Sequence, residues 1–479
     1  MRNLIISLII IAVFLEISGL IWSAKDDGPS ETYVRLTQPP ERRIENPLRN
    51  GYFLLLGLTS SPQADPTQTG FDIWREAEGG RGHRHFDYSK PGRTSLRILV
   101  EAAEAFPAWQ AMDPVTEFQK PDALFRTTMD RYAILTQRYA QFLGMAFEDW
   151  GFGHIGTPRF EELLTVHRLY VAEGFARQFK TGVERLQQDI TVWRMILKEA
   201  RTTAIKTLAA IMIDDDISLL ATLANQRGNE PLLVSAVHTV GRPMTPEEYS
   251  LRWPMQHQFV LGTARSSALR LDLNGGEAET RTNQEWVARR ASLVSNAFLR
   301  IEHPVMKTML GVTLESQRLW DTYAAYYDLT IKAEESVRSP LPKLEDIART
   351  SKRTLLDTLL RPLEFEPDWD QFVQRLVETD ARLRLVTLQV LLRQPSVMKT
   401  IPGRLAEVGP AYYDPFTGLP MLWSETQGKV YSIGKDRIDD GGDANFDISA
   451  PVVRGPGAPA PLPSKRPAVG RAVRSGRSI

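Results

Sequence analysis

An apolar run at the start of the chain places the strongest constraint on how it can fold. Nearly every residue from Leu4 to Trp22 is apolar. A helix of that length, rising about 1.5 Å per residue, covers roughly the 30 Å of a membrane's hydrocarbon core. The sequence Ile21-Trp22-Ser23-Ala24 lacks the small-x-small pattern at which signal peptides are cut. We therefore predict an uncleaved transmembrane anchor over residues 1–24.

Charges around this segment predict its orientation. Arg2 and the amino terminus precede the apolar run, whereas Lys25 is followed by Asp26 and Asp27. The positive-inside rule then puts the bulk of the chain in the periplasm of a bacterium, with inner-membrane lipid as its first contact. Glu16 is an ionisable group inside the span, which indicates either a partner within the membrane or a side chain that reaches the interface.

Composition narrows the possible functions. The chain has 58 basic and 58 acidic residues, so it has no excess positive charge for nucleic acid, and we expect no nucleic-acid partner. It contains no cysteine, which excludes disulfides, thiolate zinc sites, iron–sulfur clusters and cysteine nucleophiles.

The chain divides into segments of different character. We predict a polar, proline-containing linker over residues 25–50, a loop-rich segment over 51–95, a helical domain over 96–400, a small β element over 401–448 and a disordered basic tail over 449–479. Within the second segment, the apolar run Tyr52–Leu58 fits either a strand or a buried helical turn.

Apolar spacing predicts that the central domain is a helical bundle. The clearest pattern has apolar residues at intervals of three and four, which form one face of a long helix: Phe175, Phe179, Val183, Leu186, Ile190, Trp193 and Leu197. Thr157 is its predicted N-cap and Pro158 its first residue, with Glu161 and Glu162 in the first turn. Further helical patterns cover residues 122–148, 205–226, 246–262, 284–300, 311–336 and 368–393. The predicted fold class is mainly α.

A glycine pattern in this domain has two interpretations. Gly151, Gly153 and Gly156 match G-x-G-x-x-G, which lets a dinucleotide pyrophosphate approach a helix that follows a strand. Here the preceding segment is helical in pattern and no βαβ alternation follows. We therefore interpret the glycines as a turn between two helices.

Histidines and aspartates also form short clusters. The sequence His83-Arg84-His85-Phe86-Asp87 could direct three ligands to one side of an extended segment. It resembles the opening of the metallo-β-lactamase motif H-x-H-x-D-H, but Tyr88 stands where that family has its last histidine, and we expect an exposed polar loop. Asp214, Asp215 and Asp216 are interpreted as lying between two helical segments and capping the second.

The segment near the C-terminus predicts two short strands, a turn and an aspartate-rich loop. Its sequence elements are Asp414-Pro415-Phe416-Thr417-Gly418-Leu419-Pro420, Val430-Tyr431-Ser432-Ile433-Gly434-Lys435-Asp436, Asp439-Asp440-Gly441-Gly442 and Asp447-Ile448. Carboxylates and flexible glycines of this kind suit a hard cation such as calcium.

These elements resemble the C-terminal β region of type II secretion major pseudopilins, whose final loop binds calcium. The likeness covers residues 410–448 and departs at Thr417 and in the lengthened Asp439-Asp440 segment. It implies calcium as the cofactor, with five candidate ligands: Asp436, Asp439, Asp440, Asp443 and Asp447. The processing signature of pseudopilins is missing around Glu16, so the chain is not itself a pseudopilin.

The same element, together with the opening Asn50-Gly51-Tyr52-Phe53-Leu54-Leu55-Leu56-Gly57, is similar to uncharacterised, inner-membrane-anchored helical envelope proteins of bacteria. The resemblance implies a location and no activity. We expect a non-enzymatic envelope protein that acts through an unidentified envelope partner. The alternative is a periplasmic hydrolase of envelope polymers, which would need paired carboxylates in a cleft.

Overall fold

A computed structural model describes residues 29–79, 86–96, 113–120, 123–154, 156–273, 324, 328, 369–394 and 400–451. The predicted anchor, residues 452–479 of the predicted basic tail, His83, His85 and the helical patterns at 284–300 and nearly all of 311–336 lie outside these residues. Residues 449–451, predicted as the start of the disordered tail, instead belong to a strand. Within the described residues, no helix combines the length and the apolarity needed to cross a membrane.

The described part of the chain is mainly helical, as predicted, with one small C-terminal sheet. The helices are α1 (Glu31–Thr37), α2 (Gly51–Gly57), α3 (Pro66–Gly79), α4 (Pro114–Gln119), α5 (Ala123–Arg131), α6 (Ala133–Leu143), α7 (Phe160–Arg177), α8 (Phe179–Glu199), α9 (Thr203–Arg227), α10 (Pro231–Val240), α11 (Pro246–Tyr249), α12 (Arg252–Leu273), α13 (Trp369–Leu391) and α14 (Ile401–Glu407). Short 3-10 turns cover Pro47–Arg49 and Pro410–Tyr412.

The segment before α2 is attached to the helical body. We predict a linker here, but residues 29–50 contain α1, and the backbone N–H groups of Arg43 and Ile44 donate to the buried carboxylate of Glu148 at 3.0–3.1 Å. The Arg42 guanidinium lies 4.2 Å from the ring centroid of Trp150, a cation–π contact. A buried carboxylate needs donors, and this extended segment supplies them.

Within the predicted loop-rich segment 51–95, α2 confirms the helical alternative for Tyr52–Leu58, whereas the prediction of a loop is wrong for α3. The run Tyr52–Leu58 is helical up to Gly57, and α3 begins after Asp65, whose Oδ1 accepts from the N–H groups of Thr67 and Gln68 at 2.8 and 3.0 Å. A Cβ on Gly57 would lie 1.9 Å from the carbonyl oxygen of Pro66. Glycine here therefore permits a close helix crossing, and it does not mark a loop.

The long helix predicted across Phe175–Leu197 is two helices. Gln178 is extended (φ −160°, ψ 146°) and ends α7 while it starts α8. The two helices fold back on each other, since the Arg185 guanidinium reaches the Tyr170 carbonyl at 2.7 Å and Gly174 meets Gly182. The predicted cap is also wrong: α7 starts at Phe160 after Arg159, and Thr157 lies outside it.

Helix α9 is continuous through the three aspartates. The prediction that Asp214, Asp215 and Asp216 separate two helices and cap the second is wrong, because they lie in the middle of Thr203–Arg227. Thr202 caps this helix instead, and its Oγ1 accepts from the N–H of Ile205 at 3.2 Å. The aspartates form contacts with neighbouring helices, which offset their low helix propensity.

The C-terminal segment forms the predicted hairpin and one additional strand. Strands β1 (Leu422–Ser424), β2 (Lys429–Ser432) and β3 (Ile448–Pro451) form an antiparallel sheet in that order. The Asp414 carboxylate accepts from the N–H of Phe416 at 2.9 Å and from Ser432 Oγ at 3.0 Å. The Asp-Pro-aromatic element is thus hydrogen-bonded to the end of β2 through Asp414.

Candidate metal centre

Three helices bring three ionisable side chains together inside the helical body. Helix α7 supplies His167, α8 supplies Asp189 and α9 supplies Asp216, and each side chain is 0 % exposed. His167 Nδ1 lies 3.4 Å from Asp189 Oδ2 and 3.6 Å from Asp216 Oδ1. The three ligand atoms all lie within 4.8 Å of one another, so these residues could together hold a metal ion.

The neighbouring aspartate orients the imidazole. Asp215 Oδ2 lies 2.9 Å from His167 Nε2, the ring nitrogen that faces away from the cluster. Arg168 holds Asp215 in turn, because its Nε donates to Oδ2 at 2.7 Å and its Nη2 donates to Oδ1. Successive helical residues point about 100° apart, which lets Asp214 face another way, toward Arg382 on α13 at 3.2 Å.

An aromatic pair orients Asp189. The hydroxyl of Tyr139, on α6, donates to Asp189 Oδ1 at 2.7 Å and accepts from Trp193 Nε1 at 2.7 Å. The other oxygen, Oδ2, faces His167. Neither Asp189 Oδ2 nor either oxygen of Asp216 has a hydrogen-bond donor among the described residues.

The electrostatics of the cluster follow from burial and close opposite charges. Burial acts to lower the pKa of His167, but the close carboxylates of Asp189, Asp215 and Asp216 outweigh it and raise the pKa to about 10. Burial, and then the charge of Asp189, raises the pKa of Asp216 well above its usual range. The pKa of Asp215 is lowered because Arg168 and His167 outweigh the effect of its burial.

This arrangement can bind a cation or share protons, but a substrate cannot reach it. The three facing side chains have no solvent exposure, so the centre lacks the open cleft that a hydrolytic carboxylate pair needs. A surface depression of about 240 Å³ lies on α8, and it is lined by Glu184, Gln187, Gln188, Thr191 and Val192. It offers one carboxylate, not a pair.

The sequence prediction missed this cluster, although a signal for it exists. Each member interrupts an apolar helix face: His167 lies between Leu163 and Val171, and Asp189 lies between Leu186 and Trp193. An ionisable residue at a core position of an amphipathic helix must be paired inside the fold. Asp216 is likewise an ionisable residue at a buried position of α9, but our sequence interpretation makes it part of a helix cap.

The structure places all five predicted calcium ligands in the loop between β2 and β3. Their hydrogen bonds are largely local: Asp436 accepts from the Ile438 N–H, Asp443 from Asn445, and Asp439 from Gly441 N–H and the Tyr431 hydroxyl. Asp440 is exposed, whereas Asp447 is 4 % exposed and accepts from the Gly442 N–H. Among the described residues, no three carboxylates of this loop have oxygen atoms that all lie within 4.8 Å of one another.

The remaining motifs have structural roles. Gly151, Gly153 and Gly156 lie between α6 and α7, as predicted for a turn between helices, and the Gly153 N–H donates to His257 Nδ1 at 3.0 Å. Asp87 accepts from the N–H and the hydroxyl of Ser89 in a local turn.

Comparisons with protein-family models, with curated proteins and with solved structures gave no match for this chain.

Proposed function

We propose that this chain is an interaction protein of the bacterial cell envelope, anchored in the inner membrane by residues 1–24, with its helical body in the periplasm. The observation that carries the proposal is the surface of the C-terminal β element. Leu419, Phe446 and Ile438 are 64 %, 62 % and 58 % exposed, the highest values among large apolar side chains of the described residues. All three side chains belong to one small element, and apolar surface concentrated in one place on a protein is typical of contact sites.

The hydrolase alternative has less support. It requires two carboxylates at a solvent-filled cleft, one with a raised pKa. Burial raises the pKa of Asp216, but helices enclose that carboxyl fully, so no substrate reaches it. Burial also raises the pKa of Asp447 in the C-terminal loop, outside the helical body. The geometry therefore favours binding at the surface over catalysis in the body.

Site-specific photocrosslinking in living cells tests the interaction. A photoreactive amino acid at Leu419, Ile438 or Phe446 should give one defined adduct in the membrane fraction. The same residue at Val34 or Leu124, which are 50 % and 55 % exposed on helices, is the matched control. Equal adducts at all positions, or none at the β element, would contradict the proposal.

Location can be tested separately because the chain contains no cysteine. A Glu425→Cys variant, at an exposed position beside β1, should react with a membrane-impermeant maleimide once the outer membrane is permeabilised. Deleting residues 1–24 should move the protein to the soluble fraction. Labelling only after inner-membrane lysis would place the body in the cytoplasm and refute the location.

We also propose that the C-terminal loop binds calcium through Asp436, Asp439, Asp440, Asp443 and Asp447. Asp447 Oδ1 is buried without a hydrogen-bond donor, which suits a cation ligand. Glycines at positive φ, at Gly434, Gly441 and Gly442, let the loop fold back, and backbone carbonyls can complete the six to eight oxygens that calcium takes.

Calcium that binds only the folded state adds stability, about 2.7 kcal/mol at a hundredfold excess over Kd. The melting temperature should therefore rise with calcium and fall with chelator. Asp447→Asn should remove this response, whereas Asp87→Asn, in a turn outside the loop, should retain it. An unmoved melting temperature in the unmodified protein would contradict the calcium proposal.

A further inference from the structure

We propose that His167, Asp189 and Asp216 bind a first-row divalent transition metal ion, with zinc as the best-fitting example, in a closed structural site that joins α7, α8 and α9. This site lies in the helical body and is independent of the calcium loop and of the proposed partner surface.

The first argument comes from oxygen atoms without donors. Both oxygens of Asp216 and Oδ2 of Asp189 are buried and accept no hydrogen bond from the described residues. Buried polar atoms of this kind destabilise a fold unless something compensates them. All three atoms belong to residues whose ligand atoms cluster with His167 Nδ1, so one cation between them would compensate all of them.

The spacing of the ligand atoms suits a small ion. Ligands at about 2.1 Å from zinc in a tetrahedron stand about 3.4 Å apart. His167 Nδ1 is 3.4 Å from Asp189 Oδ2 and 3.6 Å from Asp216 Oδ1. The ligand atoms of Asp189 and Asp216 lie within 4.8 Å of each other, so their carboxylates need to approach by at most about 1.4 Å to reach the tetrahedral spacing.

The surrounding hydrogen bonds are those of an outer metal shell. A histidine ligand commonly donates its second ring N–H to a carboxylate, which fixes the tautomer and the ring orientation. Asp215 occupies that position at 2.9 Å from Nε2, and Arg168 holds it there. Tyr139 fixes Asp189 in the same way through Oδ1, so that Oδ2 faces the centre.

The net charge of the site also matches that of a divalent ion. A histidine ligand is neutral, so the centre has three carboxylates, Asp189, Asp215 and Asp216, against one guanidinium, Arg168. Two negative charges remain, and a divalent ion neutralises both. In a buried site, such a balance decides whether binding is favourable.

The donor set selects the class of ion. Imidazole with carboxylates suits zinc and its first-row neighbours, whereas calcium and magnesium take oxygen ligands. Asp216 can offer both oxygens, which would make four donor atoms and a closed site of the structural kind.

The test uses the untagged full-length chain in detergent. Metal content is measured by mass spectrometry as purified and after refolding from urea with one equivalent of cobalt(II), zinc or calcium. We expect one transition metal ion per chain, a visible cobalt absorption of tetrahedral type, and a higher melting temperature with zinc. An empty centre in both preparations, or binding of calcium alone, would overturn the proposal.

Variants assign the site. Asp216→Asn should lose the metal and the cobalt absorption, and Asp215→Asn should weaken zinc binding by about 10–100-fold while retaining the absorption. Asp380→Asn replaces a buried carboxylate on α13 and should leave the stoichiometry at one. Asp447→Asn should abolish only the calcium response. Full metal content in a folded Asp216→Asn variant overturns the assignment. If Asp216→Asn does not fold, an unchanged zinc affinity in Asp215→Asn overturns it instead.

Discussion

The Tyr139 hydroxyl provides the sharpest test of the buried network. It is completely buried, donates to Asp189 Oδ1 at 2.7 Å and accepts from Trp193 Nε1 at 2.7 Å. Tyr139→Phe removes one oxygen and retains the ring that packs against Tyr170 and Phe142. The change therefore isolates the two hydrogen bonds from the packing.

The expected loss follows from the two partners that remain. The indole N–H of Trp193 would be buried without an acceptor, which costs about 1–3 kcal/mol. Asp189 would lose a hydrogen bond to a charged group, worth about 1.5–3 kcal/mol. Because a water molecule has little room in a packed core, we expect a total loss of about 3–5 kcal/mol.

Urea unfolding at pH 7, followed by tryptophan fluorescence, measures this loss. Tyr170→Phe is the matched control, because its hydroxyl donates to Gln188 Oε1 at 3.0 Å in a partly buried, uncharged pair that joins α7 to the same helix α8. We expect it to lose about 1 kcal/mol. Equal losses in the two variants would refute the assignment of Tyr139 as a positioning residue for Asp189.

Two further predictions concern packing and pH. Gly57→Ala should destabilise the protein by about 3 kcal/mol, because its Cβ would lie 1.9 Å from the Pro66 carbonyl oxygen, whereas Gly262→Ala, with nothing within 4 Å of its Cβ, should stabilise α12 by about 0.5–1 kcal/mol. Equal shifts of the urea midpoint would contradict the close crossing of α2 and α3. Burial acts to raise the pKa of Glu248, but the Arg194 guanidinium, at 2.8 Å from both carboxylate oxygens, outweighs it and lowers the pKa. A carboxyl whose pKa is lowered in the folded state stabilises the fold at pH values above its unfolded pKa, and this stabilisation is lost as the pH falls. Glu248→Gln should therefore weaken the decrease of the free energy of unfolding below about pH 5. The exposed control Glu184→Gln should leave that decrease unchanged.

Local signals in the sequence predicted many of the elements. The apolar pattern over 205–226 corresponds to α9, the pattern over 368–393 to α13, and the strands around Leu422 and Val430 to β1 and β2. Such patterns are legible because a helix or a strand that buries one face repeats its apolar residues at its own period. The break at Gln178 is not legible in this way, because the apolar spacing continues across it.

The sequence by itself determined the helical class of the described body, the hairpin and the composition that excludes thiolate chemistry. Only the tertiary structure decided that His167, Asp189 and Asp216 meet, since they lie on three helices and no local pattern encodes which helix faces pack together. It also decided that the three consecutive aspartates continue a helix. Propensity favours them at a cap, but Arg168, Arg382 and His167 lie beside them in the folded body and outweigh that preference. Long-range contacts, and not local preference, therefore created the candidate centre.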